Sequence, residues 1–178
     1  MDLAKRAALF AKSKQLYKGG AKDRDAQVVL GFVAEQLAAK PERADVVHDL
    51  LAFLAERMMA LNRDKRAAAK QFLTDLKDFH GIDAHALNPK TKLDQFWKLE
   101  AAELFAHLKK NVRALAGQNV RLNDTDEEKI RGRFQKSKEK LLPLETQIAF
   151  TDRLIDQVVY RLYGLTPEEI KLVEEAGR

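Results

Sequence analysis

The stretch NDTDEEKIRGRFQKSKEKLLPLETQIAFTDRLIDQVVYRLYG, Asn123 to Gly164, decides the fold. It opens on Asn123-Asp124-Thr125-Asp126, with Glu127 and Glu128 following. Such residues accept the free N–H groups of a first helical turn and complement its dipole. From there positions 130, 134, 137, 141, 144, 148, 151, 155, 158 and 162 advance by four and three, and eight of these ten are apolar. That spacing is the seam of a coiled coil. Pro143 lies inside it, removes one backbone donor and predicts a kink. Gly164 ends the helix, and Thr166-Pro167-Glu168-Glu169 begins another at once as a capped turn with proline at its first position. Ile170 and Val173 are expected to pack back onto the long helix.

A helix of this length needs a long partner. The sequence supplies one from about Glu42 to His80, with no glycine or proline before Gly81. Val47, Leu50, Leu54, Met58, Leu61, Ala68, Phe72, Leu76 and Phe79 recur on it at helical spacing. Ahead of it, residues 1–40 read as two helices. Leu3, Ala7, Phe10, Ala11 and Leu16 or Tyr17 line the first, which Gly19-Gly20 ends. The second starts near Ala21 and carries Val28, Val29, Phe32, Val33 and Leu37. Between the long helices, residues 81–122 form a cap: an irregular start with a turn at Asn88-Pro89, a short helix within Lys98–Asn111, and a loop over VRALAGQNVRLND. Trp97, the one tryptophan, is placed as the anchor of this cap. The expectation is an all-α fold and a single helical domain over 1–178. Helices at 42–80 and 124–163 would form a long antiparallel hairpin, with a terminal helix at 166–176.

Composition narrows the chemistry. Charged residues make up 33 % of the chain, above the roughly 25 % of an average protein. Cysteine is absent, which excludes disulfides, thiolate metal sites and cysteine nucleophiles and fits a cytoplasmic protein. No apolar run approaches the roughly 18 residues of a membrane span. No Walker loop and no His-Glu-x-x-His motif occurs. The four histidines share no metal-ligating spacing on one helix face. Asp152 and Asp156 read as a solvated helix edge. The expectation is a protein that is not an enzyme and takes neither cofactor nor metal.

The basic residues carry more information. Net charge is +5, and its distribution is uneven. Lys129, Arg131, Arg133, Lys136, Lys138 and Lys140 stand against the single acid Glu139. Lys109, Lys110, Arg113 and Arg121 occupy an acid-free stretch, and Arg63, Lys65 and Arg66 lie on the other long helix. An antiparallel hairpin would gather these cations at one end. Clustered Lys and Arg gain affinity for duplex DNA by displacing the counterions of its phosphates. Aromatic residues do not interleave with them in sequence, so stacking on single strands has little support there.

Three stretches carry a resemblance. DVVHDLLAFLAERMMALNRDKR (Asp45 to Arg66), FLTDL (Phe72 to Leu76) and KLLPLETQIAFTDRLIDQVVYRLYGLTPEEIKLVEE (Lys140 to Glu175) together resemble the C-terminal helical region of type IIG, Eco57I-like restriction–modification adenine methyltransferases and related phage-defence methylases. Chains of that family commonly end in the string TDRxIDxxVYxLYGLTxEEI. The family's catalytic parts are not matched. Asn88-Pro89-Lys90-Thr91 lacks the Asn-Pro-Pro-aromatic motif that holds a flipped adenine, and the glycine-rich cofactor loop and a nuclease pattern are missing too. The resemblance therefore implies a non-catalytic DNA-recognition or scaffold module of a restriction–modification or phage-defence system, contacting phosphates through its basic end. The alternative is a coiled-coil adaptor whose 130–162 seam docks on a larger methyltransferase or nuclease, or on a second copy of itself as a homodimer.

Overall fold

The computed structural model describes residues 1–19 and 22–177. Gly20 and Ala21, where the first helix was expected to end and the second to begin, lie outside them. The fold is all-α. Seven helices occur among the described residues, α1 (Leu3–Leu16), α2 (Asp23–Leu37), α3 (Ala44–His80), α4 (Ala101–Lys110), α5 (Val112–Gly117), α6 (Asp124–Leu162) and α7 (Pro167–Ala176). Three short 3₁₀ turns lie between α3 and α4. There is no strand among the described residues. Two compact units make up the chain: residues 1–61 with 146–178, and residues 62–145. Helices α3 and α6 each contribute one segment to each unit.

In the first unit, Tyr17, Val29, Leu30, Val33, Val47, Leu50, Leu54, Phe150, Leu154 and Val158 form the core. Thr151, the polar position in the apolar seam, is fully buried and finds two partners. Its Oγ1 donates to the Gln147 carbonyl at 2.7 Å and receives the Tyr17 hydroxyl at 2.7 Å, so neither hydroxyl is stranded. Outside the core, Arg6 makes two 2.7 Å hydrogen bonds to the carboxylate of Asp49. Of the expected face of α1, Leu3, Ala7 and Ala11 are exposed, Phe10 and Leu16 are half-buried and Tyr17 is buried, with Ser13 buried beside it. On α2 the inward positions are Val29, Leu30, Phe32 and Val33, while Val28 is exposed.

The corner after α6 forms as its residues dictate. Gly164 takes φ +64°, a left-handed conformation that glycine adopts without a Cβ clash. The Leu165 N–H then returns to the Tyr160 carbonyl at 2.9 Å, in the pattern that closes many helices. Thr166 and Glu169 cap each other's backbone. The expected packing is only half realised, however. Ile170 is half-buried, Val173 is 49 % exposed, and α7 buries no residue.

In the 62–145 unit, Phe72, Phe96 and Phe134 form an aromatic centre. Phe72 lies 4.1 Å from Phe96 and 6.0 Å from Phe134, ring centre to ring centre. Trp97 meets Phe96 edge-on and is buried. The α3 and α6 segments run antiparallel here, because Asp75 meets Arg133 and Lys65 meets Glu145. Two expectations are corrected. Residues 112–117 form α5 rather than loop, since helix resumes after Asn111 and Leu115 is drawn into the core. Phe79 is 64 % exposed. Gly81, at φ +68°, reverses the chain two residues later, and Ile82 takes the interior place that the helical stripe assigned to Phe79. The reversal is closed by the Gly81 and Ile82 amides, which donate to the Lys77 and Leu76 carbonyls. Asn111 fastens the cap: its side chain accepts from the Asn88 N–H and donates to the carbonyls of Asn88 and His107.

Candidate nucleic-acid interface

All thirteen sequence-predicted cations fall in the 62–145 unit. Tertiary structure sorts them by what each side chain touches. Lys65 is mostly covered, reaches Glu145 at 2.9 Å and lies over the Trp97 ring. Burial pushes the Glu145 carboxyl up. The hydrogen bond from Lys65, the indole N–H of Trp97 (which approaches without meeting full hydrogen-bond geometry) and the charges of Lys65 and Lys98 outweigh that and hold it below its ordinary value. Lys138 is buried further, donating to the Leu99 carbonyl at 2.7 Å and to Glu100 at 3.2 Å. These two lysines tie α3 and α6 to the cap and are not surface groups. Arg131 lays its guanidinium over the Phe105 ring at 4.7 Å. Lys109 pairs with Glu127 at 2.9 Å, and Arg63 pairs with its neighbour Asp64. Arg66, Lys110, Arg113 and Arg121 are exposed. Arg121 and Lys109 border a separate apolar hollow of about 510 Å³ on α4 and α5.

The remaining four converge. Lys129, Arg133, Lys136 and Lys140 advance along α6 by four, three and four residues, so they share one face. They line one wall of a groove of about 560 Å³. The α3 wall opposite carries Ala67, Ala68, Gln71 and Asp75. Small residues make this groove: two alanines on α3 and Gly132 on α6. A side chain at Gly132 would project into open space, with nothing within 4 Å. Asp75 is the one acid in the lining. It is already engaged, accepting from Gln71 Nε2 at 2.7 Å and from Arg133 at 3.3 Å. Arg133 is thereby fixed, and its guanidinium also lies 4.1 Å from the centre of the Phe79 ring.

Lys129, Lys136 and Lys140 are exposed, and among the described residues none has an acidic partner. The pairs 129/133 and 136/140 set like charges four residues apart, which costs an isolated helix roughly 0.2–0.5 kcal/mol each. An anion in the groove would remove that repulsion. The cations span roughly 16 Å of helix axis, against one phosphate per roughly 3.4 Å along each strand of a duplex. The sequence count of six cations between 129 and 140 thus resolves into four facing the groove and two, Arg131 and Lys138, turned to other partners.

Two histidines of this unit are buried at Nε2, where neither has a hydrogen-bond partner among the described residues. Burial lowers the pKa of His80; Arg133 and Lys129 lower it too, outweighing Asp126 and Asp75. Burial also lowers that of His107, with Lys92 and Lys110 adding to it. Both imidazoles are therefore neutral in the folded state near neutral pH. In the unfolded chain they titrate near pH 6.5, so the unfolded state binds more protons below that value. The stability they permit is complete above pH 6.5 and is lost as pH falls through it. The urea midpoint is expected to drop between pH 7 and pH 5, and to drop less in a His80→Gln/His107→Gln variant. An equal drop in both proteins would mean that the two rings are not sheltered as described.

No group of three or more metal-ligating side chains assembles among the described residues. No helix among them is long and apolar enough to cross a membrane. Fold and site together define an all-helical protein with a cationic groove between two antiparallel helix segments. The chain belongs to the family described as Domain of unknown function (DUF8810), whose pattern matches residues 46–159. The groove lies wholly inside that range. No curated protein and no solved structure matches the chain.

Proposed function

We propose that this chain is a non-catalytic helical module that binds duplex DNA by its phosphates through the α3–α6 groove of the 62–145 unit. The observation that carries the reading is the row Lys129, Arg133, Lys136 and Lys140 on one face of α6, opposed by a single, already neutralised acid. Phosphate contacts of this kind set position and affinity rather than sequence preference. The resemblance of Asp45–Arg66, Phe72–Leu76 and Lys140–Glu175 to the helical tail of type IIG methyltransferases supports placement in a restriction–modification or phage-defence system. A larger methyltransferase or nuclease would then supply the chemistry. Titrating a labelled duplex at increasing salt tests the binding. Three to four phosphate contacts are expected to give a log–log slope of about −3, at roughly −0.9 per contact. Absence of binding at low salt would sink the reading.

A second reading, docking on a larger protein, draws on a different observation. The seam proposed for that role is occupied within the chain: Ile130, Phe134, Leu141, Thr151 and Val158 are buried. The terminal corner instead exposes Tyr163, Leu172 and Val173. An adaptor role would therefore use α7. Leu172→Asp with Val173→Asp would then abolish co-purification with a methyltransferase or nuclease chain while leaving DNA affinity unchanged.

A further inference from the structure

We propose that the nucleic acid held by the groove carries unpaired bases, and that Phe79 is the surface on which one of them stacks. This rests on the phosphate-binding reading and specifies its ligand: a duplex that runs into a single strand. Phe79 lies one helical turn beyond Asp75, the last α3 residue lining the groove. Its ring is 64 % exposed although it is apolar. One face of the ring is taken by the Arg133 guanidinium at 4.1 Å. Arg133 is held there by Asp75 at 3.3 Å, and Asp75 by Gln71 at 2.7 Å. The ring is thus held on one side by a chain of contacts that begins inside the groove, while most of the residue stays in solvent.

Such a plate suits a base. Every base presents a π face, so stacking on an aromatic ring is tolerant of sequence. A guanidinium on the far face adds a cation–π contact and fixes the plate against rotation. The other arginine–phenylalanine pair of this unit shows the contrast. Arg131 covers Phe105, but Phe105 is only 5 % exposed and offers no face to a ligand. The position of Phe79 matters as well. Lys129 and Arg133 are the groove cations nearest the start of α6, and Arg133 touches the ring. A backbone leaving the groove at that end would bring its next base to Phe79.

Fluorescence anisotropy with three probes tests this. They are a blunt duplex, the same duplex with a thymidine overhang, and the same duplex with an abasic overhang that keeps the phosphates and lacks the bases. The thymidine overhang is expected to bind about tenfold tighter than the abasic one, in line with the loss of one base–aromatic stack. Phe79→Ala should erase that margin without changing affinity for the blunt duplex, and Phe79→Trp should keep it. Because the side chain is exposed, neither variant threatens the core. Equal affinity for both overhangs, or a margin that survives Phe79→Ala, would overturn the proposal while salt-dependent binding of the blunt duplex left the phosphate reading standing. Failure of all three probes to bind would overturn both.

Discussion

Reversing the charge at Lys129, Lys136 and Lys140 together is expected to weaken binding of duplex DNA about a thousandfold near 0.1 M salt. Each lost phosphate contact removes about 1 kcal/mol for a fully solvated pair, and each new carboxylate adds a comparable repulsion. Allowing for screening and non-additivity, about 4 kcal/mol remains, which is a factor of about a thousand. The salt slope should flatten by about 2.7, since three phosphate contacts are lost at roughly 0.9 each. The choice of residues follows from what each touches. Arg131, Arg133 and Lys138 are as cationic, but they hold Phe105, Asp75 and the Leu99 carbonyl. Substituting them would disturb packing and binding at once. Lys129, Lys136 and Lys140 are exposed and have no acidic partner among the described residues, so stability should change by no more than about 0.5 kcal/mol per site. A triple variant that keeps both affinity and slope would show that DNA does not use the groove.

The second large effect is on stability. Phe72→Ala is expected to destabilise the 62–145 unit by about 4 kcal/mol, within the usual range for deleting a fully buried phenylalanine. Phe72 has no exposure and is the ring that Phe96 and Phe134 both approach. Its loss would leave a cavity bordered by rings that cannot easily collapse, and would also remove aromatic pair contacts worth about 0.5–1.5 kcal/mol each. Against a total of about 5–15 kcal/mol for a natural domain, that is a large fraction. Trp97 packs edge-on against Phe96 and is the chain's only tryptophan, so its fluorescence in urea reports on this unit directly. A midpoint shift equivalent to less than about 1 kcal/mol would contradict the packing. Phe79→Ala is the matched control on the same helix, with a small effect expected because its ring is in solvent.

The contrast between Phe72 and Phe79 shows what could be read from one dimension. Both occupy the apolar stripe of α3, and spacing alone treats them alike. What separates them is Gly81. It turns the chain and delivers Ile82 into the core, leaving Phe79 outside. The same holds for the cations. Lys136 and Lys138 are equal as letters, yet one is exposed at the groove and the other is mostly covered and donates to a backbone carbonyl.

Alone, the sequence determined the helical class, the four-three seam of α6, the glycine-closed corner with its Thr166–Glu169 cap, and the excess of positive charge between Lys129 and Lys140. These are local: caps, helical periodicity and charge density depend on residues a turn or two apart. The tertiary structure alone decided which cations face an open groove and which are consumed by carbonyls, carboxylates and rings. It also decided that two alanines and a glycine would make room for that groove, and that one phenylalanine would stay in solvent beside it. Those outcomes depend on partners far away in sequence, Asp75 for Arg133 and Leu99 for Lys138, and only the packing of α3, α4 and α6 brings them within reach.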